Sequence, residues 1–297
     1  VFNNCYTPAY ASPGSHASMF TGMYPAETGI HKATPRNRDA YAASSSRIAE
    51  RINHTYESMV VSQNPFIFYG LDSEFSQSID LQQIQNVPFP EAYKHNSSLS
   101  SSSKLTVLAN IFGEAMPVRS TINRLRLRLT DNNDIEDLSE IENIRSYIHS
   151  FIKNAESNSH PYLIVANYMH AHPPFTPSVD AIRSCTEFSP DDLPIGEKLP
   201  FRSDRPGSDE YELDKLLAVY YASIYELDRK ITPMIENLLN NGVTVFLMAD
   251  HGRAVYYDDP LGEDRIHVPL VIFDPNSAAD ERSHTVNLKD VARTTTS

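Results

Sequence analysis

Three short segments that are apolar at nearly every position constrain the fold more than any other feature. They are residues 162–166 (Tyr-Leu-Ile-Val-Ala), 243–248 and 268–273. A strand with two apolar faces is typical of a parallel sheet that is covered on both sides. Segments of helical periodicity precede the first two, at 135–153 and from about Glu212 onward. This alternation predicts an α/β fold with a parallel sheet.

The smaller elements and the domain organisation follow from the same patterns. We predict strands at 1–6 and 59–61 and helices at 15–23 and 42–52. Pro233 is expected to kink or restart the long helix. No repeat or second domain boundary is apparent, so residues 1–297 are predicted to form one domain. The polar stretches 64–103 and 176–208 are predicted to be variable loop excursions.

The charge balance limits the partners of the chain. Its formal net charge is -13, from 38 acidic and 25 basic residues. Nucleic acids and anionic membranes are polyanions, so neither is an expected partner. An anionic small molecule or glycan would need local positive charge, which a bound metal can supply.

The two cysteines and the chain ends bear on the cellular location. Cys5 and Cys185 are too few for a disulfide framework or a thiolate zinc site. No apolar run is long enough to span a membrane, and no signal peptide is visible. We expect a cytoplasmic protein, with secretion left open because the chain begins at Val1 and looks like a fragment.

Ligands bind at the carboxyl ends of the strands in such sheets, so the residues that follow each strand are the candidates for a functional site. Asp250, His251 and Gly252 follow the strand at 243–248. A carboxylate and an imidazole at a strand end are a plausible metal pair, and glycine permits close approach. The alternative is a helix cap beside a hydrogen-bonded histidine.

Two histidines follow the strand at 162–166, in the sequence His170-Ala171-His172-Pro173-Pro174. The prolines predict a rigid turn. These histidines could act as a general acid and as a donor near a leaving group. A polar surface loop is the alternative.

A serine- and glycine-rich segment, 10–25, leads from the first strand into a predicted helix. The N-terminus of a helix attracts anions, because its free N–H groups point outward. A serine at that position, close to a metal, could be deprotonated and attack sulfur or phosphorus. The alternative is an ordinary serine N-cap.

In combination and in this order, these motifs resemble the sulfatase family. That family has Cys/Ser-x-Pro-Ser-Arg followed by Ala-Ser-Leu-Leu-Thr-Gly-x-Tyr-Pro. Here residues 12–16 are Ser-Pro-Gly-Ser-His, and 17–25 are Ala-Ser-Met-Phe-Thr-Gly-Met-Tyr-Pro. His-Pro-Pro-Phe at 172–175 and Asp-His-Gly at 250–252 are similar to later family motifs, and the segment 265–270 is similar to the closing strand of the family.

The resemblance implies an alkaline phosphatase-like α/β/α sandwich of three layers, with a mostly parallel sheet whose first strand is missing here. It also implies a hydrolase of sulfate or phosphate esters with one divalent metal ion. Calcium is the usual ion of the family, and magnesium, manganese or zinc would also suit the ligands. The implied metal ligands are Asp250, His251 and Ser12, with a further aspartate expected upstream of Val1.

The resemblance assigns roles to further side chains. Ser12 is the expected nucleophile, and His16, which stands where the family has arginine, is expected to donate a hydrogen bond to the anionic group. His172, together with His170, is expected to act on the leaving oxygen. The residues expected to line the substrate site are Asn64, Arg265 and His267, of which His267 could instead be a packed histidine.

Departures from the family pattern leave the reaction open between three classes. Formylglycine formation needs the proline and arginine that Gly14 and His16 replace here, which argues against this modification of Ser12. An unmodified serine resembles the phosphoester hydrolase and phosphotransferase branches of the superfamily. The third class is a non-catalytic relative that binds an anionic glycan. A sulfate ester hydrolase is the leading hypothesis.

Overall fold

The computed structural model describes residues 1–34, 36–44, 47–52, 56–84, 139–196, 210–252 and 262–295. The strands are β1 (Phe2–Tyr6), β2 (Glu57–Ser62), β3 (Gln77–Asp80), β4 (Tyr162–Asn167), β5 (Val245–Met248), β6 (His267–Phe273) and β7 (Val286–Asn287). The helices are α1 (Ser12–Thr21), α2 (Pro25–Thr28), α3 (Asn37–Ala43), α4 (Ile48–Ile52), α5 (Leu81–Ile84), α6 (Glu140–Ser157), α7 (Val179–Cys185), α8 (Glu210–Asn240), α9 (Glu263–Ile266) and α10 (Val291–Thr294). Short 3-10 turns lie at Pro190–Asp192 and Leu288–Asp290.

The described strands form two sheets. One sheet has the order β3-β2-β4, and both of its pairings are parallel. The other has the order β5-β6-β1-β7, in which β6 is antiparallel to both of its neighbours and β1 is parallel to β7. The predicted α/β class is therefore confirmed, with one antiparallel strand that the alternation of helices and strands did not indicate.

Helices pack on both faces of the three-stranded sheet, which gives the layered arrangement. On one face of β2 and β4, Met59 and Val61 pack against Ile144, Ile148 and Phe151 of α6. The opposite side holds a core that joins residues of both sheets to α1, including Val60, Leu163, Met248, Val268 and Phe20. A third cluster packs α7 against α8 around Ile182 and Val219.

Several predicted elements differ from the observed ones. The helix predicted at 42–52 is two helices, α3 and α4, because Ser44 adopts extended backbone geometry (ψ 134°) after α3. The stretch 64–103 was predicted to be irregular, but residues 77–80 form β3. The polar sequence Gln-Ser-Ile-Asp concealed this short strand, of which only Ile79 is buried.

The remaining differences concern the long helix and the burial of the strands. The helix α8 continues through Pro233 instead of restarting there. The strands β4 and β5 were predicted to be fully buried and are half-buried, since each is an edge strand of its sheet. Residues 85–103 and 197–208 of the two predicted loop excursions lie outside the described residues. None of the described helices combines the length and apolar character needed to cross a membrane.

Candidate active site

The carboxyl ends of β1 and β5 meet the start of β6 at one edge of the four-stranded sheet. Tyr6 at the end of β1 pairs with His267, and Met248 at the end of β5 pairs with Leu270. The backbone N–H of Thr7 donates to the Ile266 carbonyl at 2.8 Å. This register brings the segment leading into α1 and the segment following β5 to the same place.

The helix α1 begins at Ser12 itself, three residues earlier than predicted, and every residue of it is buried. Pro13 suits the first turn, where no intrahelical N–H is required. Gly14 is needed for packing, because a Cβ there would lie 2.9 Å from the Ala9 Cβ and 3.1 Å from the Ile30 carbonyl oxygen. The glycine lets the helix N-terminus approach the preceding chain closely.

Ser12, Asp250 and His251 form one cluster at this edge. The Ser12 Oγ lies 3.3 Å from the His251 Nε2. That nitrogen lies 3.7 Å from the Asp250 Oδ2. Burial would raise the pKa of Asp250, but the nearby His251 and His16 and a hydrogen bond from Ser12 together hold it below its ordinary value. Asp250 is therefore a carboxylate at neutral pH.

The tautomer of His251 is fixed by its other ring nitrogen. The His251 Nδ1 donates to the Gly252 carbonyl at 2.8 Å, and its backbone N–H donates to the Asp250 Oδ1 at 2.9 Å. In the neutral ring the lone pair is then on Nε2, which faces Ser12. This is the arrangement that a metal-binding or proton-accepting histidine requires.

His16 lies one turn after Ser12 and is almost fully buried. Its Nδ1 donates to the Ser12 carbonyl at 2.9 Å and lies 3.5 Å from the Asp250 Oδ2. Burial lowers the pKa of His16, although the charge of Asp250 opposes that effect. A neutral ring with its proton on Nδ1 has no second N–H for an ester oxygen. With these two contacts, the His16 ring connects the start of α1 to the Asp250 carboxylate.

Two functional side chains escaped the sequence analysis, Ser15 and Thr7. The Ser15 Oγ donates to the Asp250 backbone carbonyl, and the Thr7 Oγ1 lies 2.8 Å from the Ser15 Oγ. Both residues are buried. Ser15 therefore links the segments that follow β1 and β5. Its place as the second serine of the motif was the available signal, since only its neighbour Ser12 was given a role.

Gly252 and the residues before β6 lie in contact with each other at the same edge of the sheet. The Gly252 N–H donates to the Arg265 carbonyl at 2.7 Å, and a Cβ on Gly252 would lie only 2.1 Å from the Asp264 carbonyl oxygen. The His267 ring stacks on Tyr6 at 5.1 Å, and its Nε2 donates to the Asn3 carbonyl at 2.9 Å. His267 thus lies at this edge as an exposed residue, with its ring stacked on Tyr6.

The histidine loop after β4 has its own set of contacts. The His170 Nε2 lies 3.2 Å from the Glu226 Oε2 of α8. Burial lowers the pKa of His170, and the charge of Glu226 opposes it. The His172 Nδ1 donates to the Pro173 carbonyl at 2.7 Å, and the Pro173–Pro174 peptide bond is cis. The histidines and prolines thus lie in turns and bends after β4, and the rigidity expected of this segment stays a prediction.

Asn64 follows β2 and is buried. Its Oδ1 accepts the Phe66 N–H at 3.1 Å, and its own N–H donates to the Ser62 Oγ at 2.7 Å. The amide therefore stabilises a turn of the backbone. These contacts join Asn64 to the end of β2 and not to the Ser12 cluster.

The cluster has the chemistry of one side of a divalent metal site. It offers a carboxylate oxygen, an imidazole nitrogen with its lone pair exposed and a hydroxyl oxygen, all ligands that such ions accept. Within the described ranges, no group of three or more His, Cys, Asp or Glu side chains has metal-binding geometry. Asp250, His251 and Ser12 thus fit an ion as a partial ligand set.

Comparison with solved structures identifies the fold. Ps i-CgsB in complex with k-i-k-neocarrahexaose is 16% identical, with a TM-score of 0.55, and the match covers 98% of this chain and 62% of that one. The phosphonate monoester hydrolase SpPMH from Silicibacter pomeroyi is 16% identical, with a TM-score of 0.55 over 98% and 64% of the two chains. The lipoteichoic acid synthase LtaP from Listeria monocytogenes is 14% identical, with a TM-score of 0.56 over 99% and 61%.

The chain thus spans less than two thirds of the length of each of these proteins. A search of curated proteins gave no match. The model of one protein family, Sulfatase, matches residues 1–296, which is nearly the whole sequence. That match includes the Ser12 helix and the Asp250–His251 pair. The protein therefore belongs to the sulfatase family.

Proposed function

We propose that this protein is a metal-dependent hydrolase of sulfate esters that uses Ser12 as a covalent nucleophile. The observation that supports this most is the convergence of three groups: the Ser12 Oγ lies 3.3 Å from the His251 Nε2, and that nitrogen lies 3.7 Å from the Asp250 Oδ2. Family membership supports the ester substrate class. A hydroxyl between a carboxylate and an imidazole is placed to lose its proton.

In the first step, different residues of the chain have different roles. Ser12 loses its proton to water, its oxygen attacks sulfur, and the bond from sulfur to the leaving oxygen breaks. The leaving oxygen takes the Nε2 proton of His172 in its imidazolium form, because the Nδ1 proton of that ring is bonded to the Pro173 carbonyl. His170, whose Nε2 proton is directed at Glu226, supports the loop that carries His172. His16 and Ser15 hold the backbone of Ser12 and Asp250 in place while this occurs. A metal ion held by Asp250, His251 and Ser12 would lower the pKa of the hydroxyl and neutralise charge on the transferring group. Attack by water on the sulfuryl-serine then regenerates the hydroxyl.

A phosphate ester hydrolase or phosphotransferase is the second candidate. The specific observation in its favour is the pair Gly14 and His16, which replaces the residues needed for formylglycine. A Cβ at position 14 would lie 2.9 Å from the Ala9 Cβ and 3.1 Å from the Ile30 carbonyl oxygen, so proline or a larger residue there requires the neighbouring chain to shift. An unmodified Ser12 would form a phosphoryl-serine by the same in-line attack.

The test is hydrolysis of para-nitrophenyl sulfate and para-nitrophenyl phosphate with calcium, magnesium, manganese or zinc. The wild type is compared with Ser12→Ala and with Ser18→Ala. Ser18 is a matched control because it is buried on the same helix and its Oγ has no hydrogen-bond partner within the described residues.

We expect cleavage of the sulfate ester by the wild type and by Ser18→Ala, and none by Ser12→Ala. Cleavage of the phosphate ester alone, with the same dependence on Ser12, would establish the second candidate. Bound metal without turnover of either ester would leave only the glycan-binding alternative.

A further inference from the structure

The histidine loop, residues 168–178 between β4 and α7, is held by carboxylates from two different helices. The inference drawn from this rests on the proposed function, because it concerns the residues that act on the leaving oxygen. Neither carboxylate belongs to a motif that the sequence analysis singled out. Each accepts a hydrogen bond from the backbone of the loop. Each carboxylate therefore fixes the position of the loop as well as adding negative charge beside it.

Glu140, the first residue of α6, holds the start of the loop. Its Oε1 accepts the Met169 N–H at 2.5 Å, and the carboxylate also accepts the N–H of His170. The helix does not need Glu140 for its own cap, because Ser139 and Glu142 form the reciprocal capping box. Burial raises the pKa of Glu140 to about 7, although hydrogen bonding to the Met169 and His170 backbone opposes the rise. The contact with Met169 shows that this side chain is directed at the loop and not at its own helix.

Glu226 of α8 holds the other end of the loop. Its Oε2 accepts the Ser178 N–H at 2.8 Å and lies 3.2 Å from the His170 Nε2. Its Oε1 accepts from the Lys230 Nζ at 2.9 Å, which anchors the carboxylate on the helix. The pKa of Glu226 is lowered, because the hydrogen bonds and Lys230 outweigh the effect of burial. An ionised Glu226 accepts the Nε2 proton of His170 and thereby fixes the tautomer and the direction of the ring.

We propose that Glu140 and Glu226 are positioning residues that clamp the histidine loop from opposite ends, Glu226 through the His170 ring, so that His172 meets the leaving oxygen of the ester. Glu140 acts on the peptide N–H groups at the beginning of the loop. Glu226 acts on the imidazole of His170 and on the N–H at the end of the loop. Neither residue touches the reacting atoms in this account.

The clamp is tested by how strongly turnover depends on the leaving group. A phenyl ester needs protonation of its leaving oxygen, whereas a para-nitrophenyl ester needs little help. We would measure kcat for both aryl esters in the full protein, using whichever ester class the wild type cleaves. The variants are Glu140→Ala, Glu140→Gln and Glu226→Gln. The matched control is Glu142→Ala. It removes a carboxylate from the same helix turn, but one that accepts its hydrogen bonds from Ser139 and not from the loop.

We expect Glu140→Ala and Glu226→Gln to lower kcat for the phenyl ester by about tenfold to a hundredfold and for the para-nitrophenyl ester by less than about threefold. Glu140→Gln keeps an oxygen that can accept the Met169 N–H, so it should recover most of the activity lost in Glu140→Ala. Glu142→Ala should leave the ratio of the two rates at the wild-type value.

Equal losses on both esters in a folded protein, as judged by circular dichroism, would overturn the clamp while leaving the proposed hydrolase intact. So would unchanged rates in all three variants. Failure of the wild type to cleave either ester class would instead overturn the proposed function on which the clamp rests. The rates of Glu226→Gln decide the question if Glu140→Ala does not fold.

Discussion

At the candidate site, α1 and the segment that follows β5 are held together by a few individual polar contacts. Ser12, Ser15 and His16 lie within one helical turn and a half, and each meets the segment that follows β5 through a different atom. Because all three are buried, their polar groups depend on protein partners and not on water. Loss of one partner therefore leaves another group unsatisfied in the interior.

Ser15→Ala tests this dependence. The substitution removes the donor to the Asp250 carbonyl and the neighbour of the Thr7 hydroxyl. We expect the free energy of unfolding to fall by roughly 1–3 kcal/mol, since a buried acceptor is left unpaired. Turnover should fall too, because Asp250 loses its tether. Urea unfolding measures the first effect, and Ser18→Ala is the control, which should leave both quantities nearly unchanged. Equal stability of the two variants would contradict the tether.

Glu140 gives a prediction for the pH dependence of stability. Its pKa is raised to about 7 in the folded protein. The folded state therefore binds more protons than the unfolded state between the ordinary glutamate pKa and about 7, so this residue's contribution to stability is lost as the pH rises through that range. Glu140→Gln has no such titration.

The measurement is the free energy of unfolding of wild type and Glu140→Gln at pH values from about 4 to about 8. The free energy of unfolding of the wild type should fall relative to that of Glu140→Gln as the pH rises. A difference that is constant over this range would show that Glu140 has an ordinary pKa in the folded protein.

At the scale of elements, the site depends on how closely two chain segments approach. The segment 249–252 after β5 lies against α9, with the Gly252 N–H bonded to the Arg265 carbonyl. Gly252 is the contact point, since a Cβ there would lie within 2.1 Å of backbone oxygen, and backbone yields less readily than a flexible side chain. The glycine of Asp-His-Gly is thus required by packing.

We expect Gly252→Ala to displace α9 from Asp250 and His251 and to lower the melting temperature and the activity together. Overpacking against backbone costs about 1–3 kcal/mol or more. The control is Gly242→Ala, where φ is +79° and no atom lies within 4 Å of the added Cβ. That substitution should cost about 1–2 kcal/mol from backbone strain alone, without loss of kcat. Wild-type activity in Gly252→Ala would contradict the packing argument.

The whole molecule is strongly acidic, with a net charge of -13, although its expected substrate is an anion. A negatively charged ester is repelled at long range and is bound only where local groups and a metal ion reverse the field. Salt screens the long-range part over about 8–10 Å and affects contacts inside the site much less.

The ionic strength dependence of turnover follows from this charge. As NaCl rises from about 10 to about 150 mM, kcat/KM for an anionic aryl ester should increase, because repulsion is screened. The value of kcat at saturating substrate should change little and is the internal control. A decrease in kcat/KM with salt would show that local positive charge governs the encounter.

The sequence was informative about the fold wherever side chains faced a sheet or helix core. The apolar runs at 162–166 and 268–273 indicated β4 and β6, and the spacing of Ile144, Ile148 and Phe151 indicated α6. The edge strand β3 was missed, because only one of its side chains enters the core. The direction of β6 could not be predicted, since pairing is set by chain topology and not by the apolar pattern.

For the candidate site, the motifs indicated residues but not their contacts. Ser12, Asp250 and His251 were predicted from strand ends and do lie together. Asn64 and His267 have backbone hydrogen bonds that no sequence pattern reveals. The contact of Ser15 with Asp250 joins segments distant in sequence, so its place in the motif marked the residue but not the contact. The contacts of Glu140 and Glu226 with the histidine loop are also long-range, and neither residue belongs to a motif that a single sequence reveals.

The central claim is that Ser12 becomes covalently bonded to the transferred group. Acid quenching during turnover of para-nitrophenyl sulfate, followed by mass spectrometry of the peptide that contains Ser12, tests it most directly. The account predicts one added sulfuryl group on Ser12 in the wild type, and a phosphoryl group with the phosphate ester if the second candidate holds. Turnover with Ser12 unmodified under these conditions, or with the group on another residue, would contradict it.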